Sequence, residues 1–134
     1  MKVYVFSFFA ALLIFATSCS KIAKPEDLEG TWKGSFSVTD TAKFTHTVEP
    51  IKVTFSGTTY TSDKGPNNMP AGGSGVYQIS DNKLIFLDQN VWPANFDWTY
   101  ILNGTYQYKF KPKSLYFSRT EQNGEFKEYD LKKN

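Results

Sequence analysis

The chain has 134 residues, with 15 basic and 13 acidic side chains, one histidine and one cysteine. That length holds one domain and not two, a near-neutral balance without a basic stripe along the sequence excludes a nucleic-acid partner, and a single cysteine excludes an internal disulfide. The core alone must hold the fold, and twelve Phe, eight Tyr and three Trp are available to the chain.

The first stretch reads MKVYVFSFFAALLIFATSC. Lys2 and the amino terminus supply a positive start, and residues 3–15 are almost wholly apolar. That run is too short for a spanning helix and suits the hydrophobic part of a signal peptide. Small residues, Ala16-Thr17-Ser18, lead to Cys19. The segment resembles bacterial lipoprotein precursors, with Ala16 where a leucine is usual. The resemblance implies removal of residues 1–18 and acylation of the Cys19 thiol with palmitate-type chains. Residues 19–27 then form a lipidated tether, and the protein is lipid-anchored in a bacterial cell envelope, at the outer membrane. Two or more acyl chains make such anchoring effectively permanent. The plainer alternative is a chance thiol beside an ordinary signal-peptide cut.

From Gly30 onward the pattern has period two, broken by turn residues, which predicts β structure. Trp32, Gly34, Phe36 and Val38 share one face of a first strand, and Ile51, Val53 and Phe55 mark a second. Residues 58–62 continue it as a hairpin or form a third. DKGPNNMPAGGS, residues 63–74, is rich in glycine, proline and asparagine and predicts a mobile loop. Tyr77 and Ile79 mark the next strand, and a tight turn at 80–83 leads into LIFLDQ. NVWPANF reads as a second irregular loop. DWTYILN then runs as a strand into Asn103-Gly104, the strongest two-residue hairpin signal in the chain. TYQYKFKP, SLYFSRTE and EFKEYDLKK complete the series, separated by turns at Pro112-Lys113 and Gln122-Asn123-Gly124. A single turn of helix fits PEDLE. Eight or nine sequential antiparallel strands predict an all-β, up-and-down β-barrel over residues 28–134, with a β-sandwich as the alternative.

A glycine two places before a tryptophan at the start of the first strand has a physical use. Glycine permits a bend where the chain passes under the barrel, and an indole is the largest apolar body that can plug one end. Gly30-Thr31-Trp32 resembles the first-strand motif of lipocalins and the wider calycin group. That resemblance implies a basic side chain from late in the sequence lying across the indole, and Arg119, the sole arginine, is the matching residue. The chain is shorter than full-length lipocalins and a further strand follows Arg119. It is more similar to small lipocalin-like lipoproteins of Gram-negative anaerobes.

Catalysis finds little footing. His46 lies in a polar stretch, and the carboxylates Glu49, Asp88 and Asp97 are not spaced as a pair. Neither a metal site nor a cofactor motif is present, so the reading is a non-enzyme without a cofactor. Aromatic residues are the informative surplus. Trp92 and Phe96 fall in a loop, while Trp98, Tyr100, Tyr106 and Tyr108 are expected on two strands paired through Asn103-Gly104. Those rings either pack across the strands or line a barrel mouth. Two functions follow for a monomeric, membrane-tethered protein. One is binding of a small apolar or aromatic-stacking ligand between the loops at 63–74 and 90–97. The other is a filled barrel that meets a protein or glycan through its loops. A cavity lined by Trp98, Tyr100 and Tyr106 marks the first, and a closed interior with an exposed aromatic patch near Trp92 marks the second.

Overall fold

Alternation of apolar and polar residues carries through into eight strands, numbered in chain order: β1 (Gly30–Asp40), β2 (Thr45–Ser56), β3 (Thr59–Ser62), β4 (Gly73–Ser80), β5 (Lys83–Asp88), β6 (Gly104–Lys111), β7 (Ser114–Thr120) and β8 (Glu125–Lys133). One short helix, α1 (Pro25–Leu28), precedes them. The structure is a computed structural model and describes residues 22–134; the signal segment, Cys19 and the start of the tether lie outside the described residues. Each strand pairs antiparallel with the next, and β1 pairs with β8 from Trp32↔Lys133 to Asp40↔Glu125. Closure leaves no free sheet edge, so the architecture is the up-and-down barrel and not the sandwich.

The expected ninth strand is absent. Within residues 97–103 a 3₁₀ turn, Trp98–Tyr100, replaces the strand, because the Asp97 carboxylate accepts from the Thr99 amide at 3.0 Å and its hydroxyl at 2.6 Å. A short polar side chain that bonds its own backbone competes with strand pairing. Asn103-Gly104 is not a hairpin turn either. The Asn103 side chain accepts from the Asp88 amide at 2.9 Å, and Gly104, at φ +89°, opens β6. Only Gly104 has positive φ, whereas the type I′ turn that Asn-Gly favours needs it at both residues.

Inward-facing rings fill the barrel. Phe117 stacks on Tyr129 with centroids 4.5 Å apart, Phe36 meets Tyr129 at 4.8 Å, and Tyr60 meets Phe86 edge-on at 4.9 Å. Tyr106 stands edge-on to Phe86, Phe117 and Tyr129. All these rings are buried, and such pairs add about 0.5–1.5 kcal/mol each beyond area burial.

The base is plugged as the sequence suggests, but by a different cation. Trp32 is fully buried and its indole N–H donates to the Leu28 carbonyl at 2.7 Å, tying β1 to α1. Gly30, at φ +103°, makes the bend between them. Lys133 Nζ lies 5.4 Å from the Trp32 ring centroid. Arg119, expected there, stands 4.8 Å over Tyr106. Antiparallel connectivity explains the exchange. β7 runs away from the base, so Arg119 near its end reaches the opposite mouth, while β8 returns and delivers Lys133 to the plug.

Candidate functional site

Alternating strand direction sorts the connections between two ends. Helix α1 and the turns at 57–58, 81–82 and 112–113 lie at the base. The turns at 41–44 and 121–124 and the loops 63–72 and 89–103 lie at the other end. The two loops dock on one another through their backbones. Ala71 N donates to Tyr100 O and Leu102 N donates to Gly72 O, each at 2.9 Å. Segment 63–72 is therefore tied into a cap, in contrast to the free loop expected from its composition.

Three fasteners hold this cap to the barrel. The Tyr60 hydroxyl donates to Leu102 O at 2.5 Å. Lys127, buried near the start of β8, donates to Thr99 O at 2.6 Å and to Glu121 Oε1 at 3.1 Å, with its ammonium 4.9 Å over the Tyr100 ring. Arg119 bonds Asn103 O at 2.5 Å and pairs with Glu121. Two cations and two carboxylates, Glu121 and Glu125, thus sit together under the loops. Glu121 bridges the two cations, whereas Glu125 Oε2, 3.8 Å from the Lys127 ammonium, is buried without a hydrogen-bond partner among the described residues.

A cleft of about 250 Å³ opens between the loops, lined by Asn67, Asn68, Asn95, Phe96, Asp97 and Tyr100. Asn67 and Asn68 are both left-handed, at φ 53° and 60°, a conformation that asparagine tolerates better than most residues. Among the described residues, the side-chain amides of Asn67, Asn68 and Asn95 have no hydrogen-bond partner in the protein. Phe96 is braced by Trp92 at 4.7 Å. Trp92 is in turn pinned by its indole N–H to Asp88 Oδ2 at 2.5 Å, and Asp88 also accepts from the Ser74 amide at 3.0 Å and the Asn90 side chain at 2.6 Å. Burial, then the charges of Glu125 and Asp97, raises the Tyr100 phenol above its ordinary pKa. The cleft thus combines two ring faces with amides, a carboxylate and a phenol.

The sequence-predicted ligand set divides. Trp92, Phe96 and Tyr100 gather at the loop end, and Trp98, 58% exposed, stands beside them in the chain without lining the cleft. Tyr106 belongs to the core. Tyr108 belongs to the base, where its hydroxyl accepts from the Ala23 amide at 3.0 Å and donates to Asp81 O at 3.2 Å. The expected ladder of Trp98, Tyr100, Tyr106 and Tyr108 across two paired strands does not form, since Trp98 and Tyr100 are in the 3₁₀ turn. His46 is exposed and bonds Thr39 Oγ1 at 2.9 Å. Sequence reading missed Asn67, Asn68, Asn95 and Asp97; the Asn-Asn doublet after Pro66 was the available signal for a left-handed turn. Compared with family models, curated proteins and solved structures, the chain matches none of them, and its function is read from this geometry.

Proposed function

We propose that the protein is a membrane-tethered, non-enzymatic binding module of lipocalin-like form, in which a filled barrel acts as a post and the loop end recognises a glycan. The observation that carries this reading is the division of the aromatic residues: the barrel axis is occupied by buried rings, while Phe96 and Tyr100 meet unpartnered amides at the surface. Drug-sized pockets run to about 300–1,000 Å³. The loop cleft, at about 250 Å³, suits one sugar ring and not an acyl chain. A neutral pyranose offers an apolar C–H face to an aromatic ring and hydroxyls to amides and a carboxylate, which is the chemistry gathered there. An acyl-chain carrier would need the space that Tyr106, Phe117 and Tyr129 occupy.

Helix α1 enters at the base, so a lipid on Cys19 holds that end to the membrane and points the cleft outward. The exposed Val91 and Trp98 share the distal loop, and Phe44 caps the neighbouring turn at 41–44. The test is a glycan-array screen of the chain from residue 19, followed by calorimetry on the best neutral saccharide. Binding should fall at least tenfold in Tyr100→Ala and Asn67→Ala and stay unchanged in Tyr108→Phe. Retention of a fatty acid with no saccharide bound would refute the reading.

A further inference from the structure

On the outer face of the barrel, strand register creates a pattern that a sheet ordinarily avoids. Lys33 of β1 stands directly opposite Lys52 of β2 on one side and Lys132 of β8 on the other. Like charges directly opposite one another are destabilising. Lys52 is relieved by Asp63 at 3.0 Å, but among the described residues Lys33 and Lys132 have no carboxylate partner. Lys132 faces Ser114 of β7, and Ser114 faces Lys111 of β6, so the line continues toward the base. At its upper end Lys64 joins Lys33 and Lys52 around a shallow cleft of about 350 Å³, floored by Gly34, Pro50 and Ile51. Nothing larger than glycine fits at position 34, since a Cβ there would lie 1.8 Å from the Asp130 carbonyl oxygen. Three lysines and one carboxylate, Asp63, therefore line this cleft, and the glycine lets β1 and β8 approach closely beside it.

We propose that this lysine ladder is a docking face for the anionic headgroups of the membrane. The inference rests on the tethered reading above for where the membrane lies. If Cys19 carries the lipid, the five peptide units between it and Lys24 span at most about 18 Å. The base is thereby held near the headgroups, and electrostatic attraction acts over a Debye length of about 8 Å. Lys132 and Lys33 lie at the basal ends of their strands, beside α1, so the ladder starts where the chain arrives. Contact along it leans the barrel on this wall and fixes the direction in which the loop cleft faces. The repulsion between the lysines in the free protein is relieved when lipid phosphates lie between them.

The test uses the chain from residue 19 carrying Cys19→Ser, so that binding does not depend on acylation. Its partitioning is measured onto vesicles of phosphatidylcholine alone and onto vesicles with phosphatidylglycerol added. One lysine near an anionic surface contributes about a fivefold change in partitioning. The variant Lys33→Gln/Lys132→Gln should therefore bind phosphatidylglycerol vesicles more than tenfold more weakly, while its thermal midpoint stays level or rises. The charge-matched control Lys43→Gln/Lys83→Gln, altered at the loop turn and on the opposite wall, should bind as the parent does. Equal partitioning of both double variants would overturn the proposal, as would binding to dextran sulfate without binding to anionic vesicles. Mass spectrometry of Cys19 in the membrane fraction tests the tether separately, so the loss of one result leaves the other legible.

Discussion

The ammonium of Lys133 lies over the indole of Trp32, 5.4 Å from the ring centroid, and also reaches the Asp27 carbonyl at 3.5 Å. One residue from the end of the chain thus fastens the last strand to the first and both to the basal helix. A cation over an indole contributes about 0.5–2 kcal/mol. Lys133→Met should lower stability by about that amount in chemical denaturation. In a Trp92→Phe/Trp98→Phe background, the emission of Trp32 should change with Lys133→Met and not with Arg119→Met.

Lys127 is the fastener of the other end. Its side chain is 1% exposed and serves Thr99 O, Glu121 and the Tyr100 ring at once. Removing one partner of a buried ionic cluster costs about 3–5 kcal/mol. Lys127→Ala should lose stability in that range, and hydrogen exchange should accelerate at the amides of Ala71 and Leu102, which join the loops.

How far the sequence speaks for the fold depends on whether a contact is local. The period-two pattern and the turns at 81–82, 112–113 and 121–124 are set by neighbouring residues, and they are legible. Gly30 and Trp32 are legible because the plug needs those two residue types. The segment 97–103 is not, since Thr99 and Tyr100 suit a strand and the deciding bond is the one Asp97 makes to its own turn. Likewise Asn103 looks like a hairpin residue until Asp88, fifteen positions earlier, takes its side chain. The lysine ladder is invisible in sequence because residues 33, 52 and 132 meet only through strand register. The cleft is partly legible: its rings stand out by type, but its amides come from a loop that only tertiary docking brings to them.

Asp88 sets the position of Trp92, and through it of Phe96. Asp88→Ala leaves the Ser74 amide and the Trp92 indole N–H without their acceptor, and an unpaired donor costs about 1–3 kcal/mol when buried. Trp92 emission should shift to the red, and saccharide affinity should fall, while the anionic-vesicle binding of the ladder is unaffected.

Alkaline pH tests the filled interior. Burial, followed by the charges of Glu29 and Glu26, pushes the Tyr77 phenol up to about 12. Burial is also the main cause of the larger rises at Tyr60, Tyr106 and Tyr129. Unfolded tyrosine ionises near pH 10. The folded state therefore holds the proton more tightly, so this contribution is complete below about pH 10 and is lost as pH rises through about 12 and beyond. Above about pH 10, the burial of Tyr106 and Tyr129 therefore works against the folded state. Spectrophotometric titration should show phenolate appearing in one cooperative step with unfolding, and not as a gradual series from the native barrel.

The most direct test of a solid barrel with recognition at its loops is a heteronuclear NMR titration of the chain from residue 19, first with a neutral oligosaccharide pool and then with a long-chain fatty acid. Saccharide should move the amide signals of residues 65–69 and 94–101, and the fatty acid should leave the signals of Tyr106, Phe117 and Tyr129 in place. Displacement of those three core signals by the fatty acid, with the loop signals still under saccharide, would contradict the account.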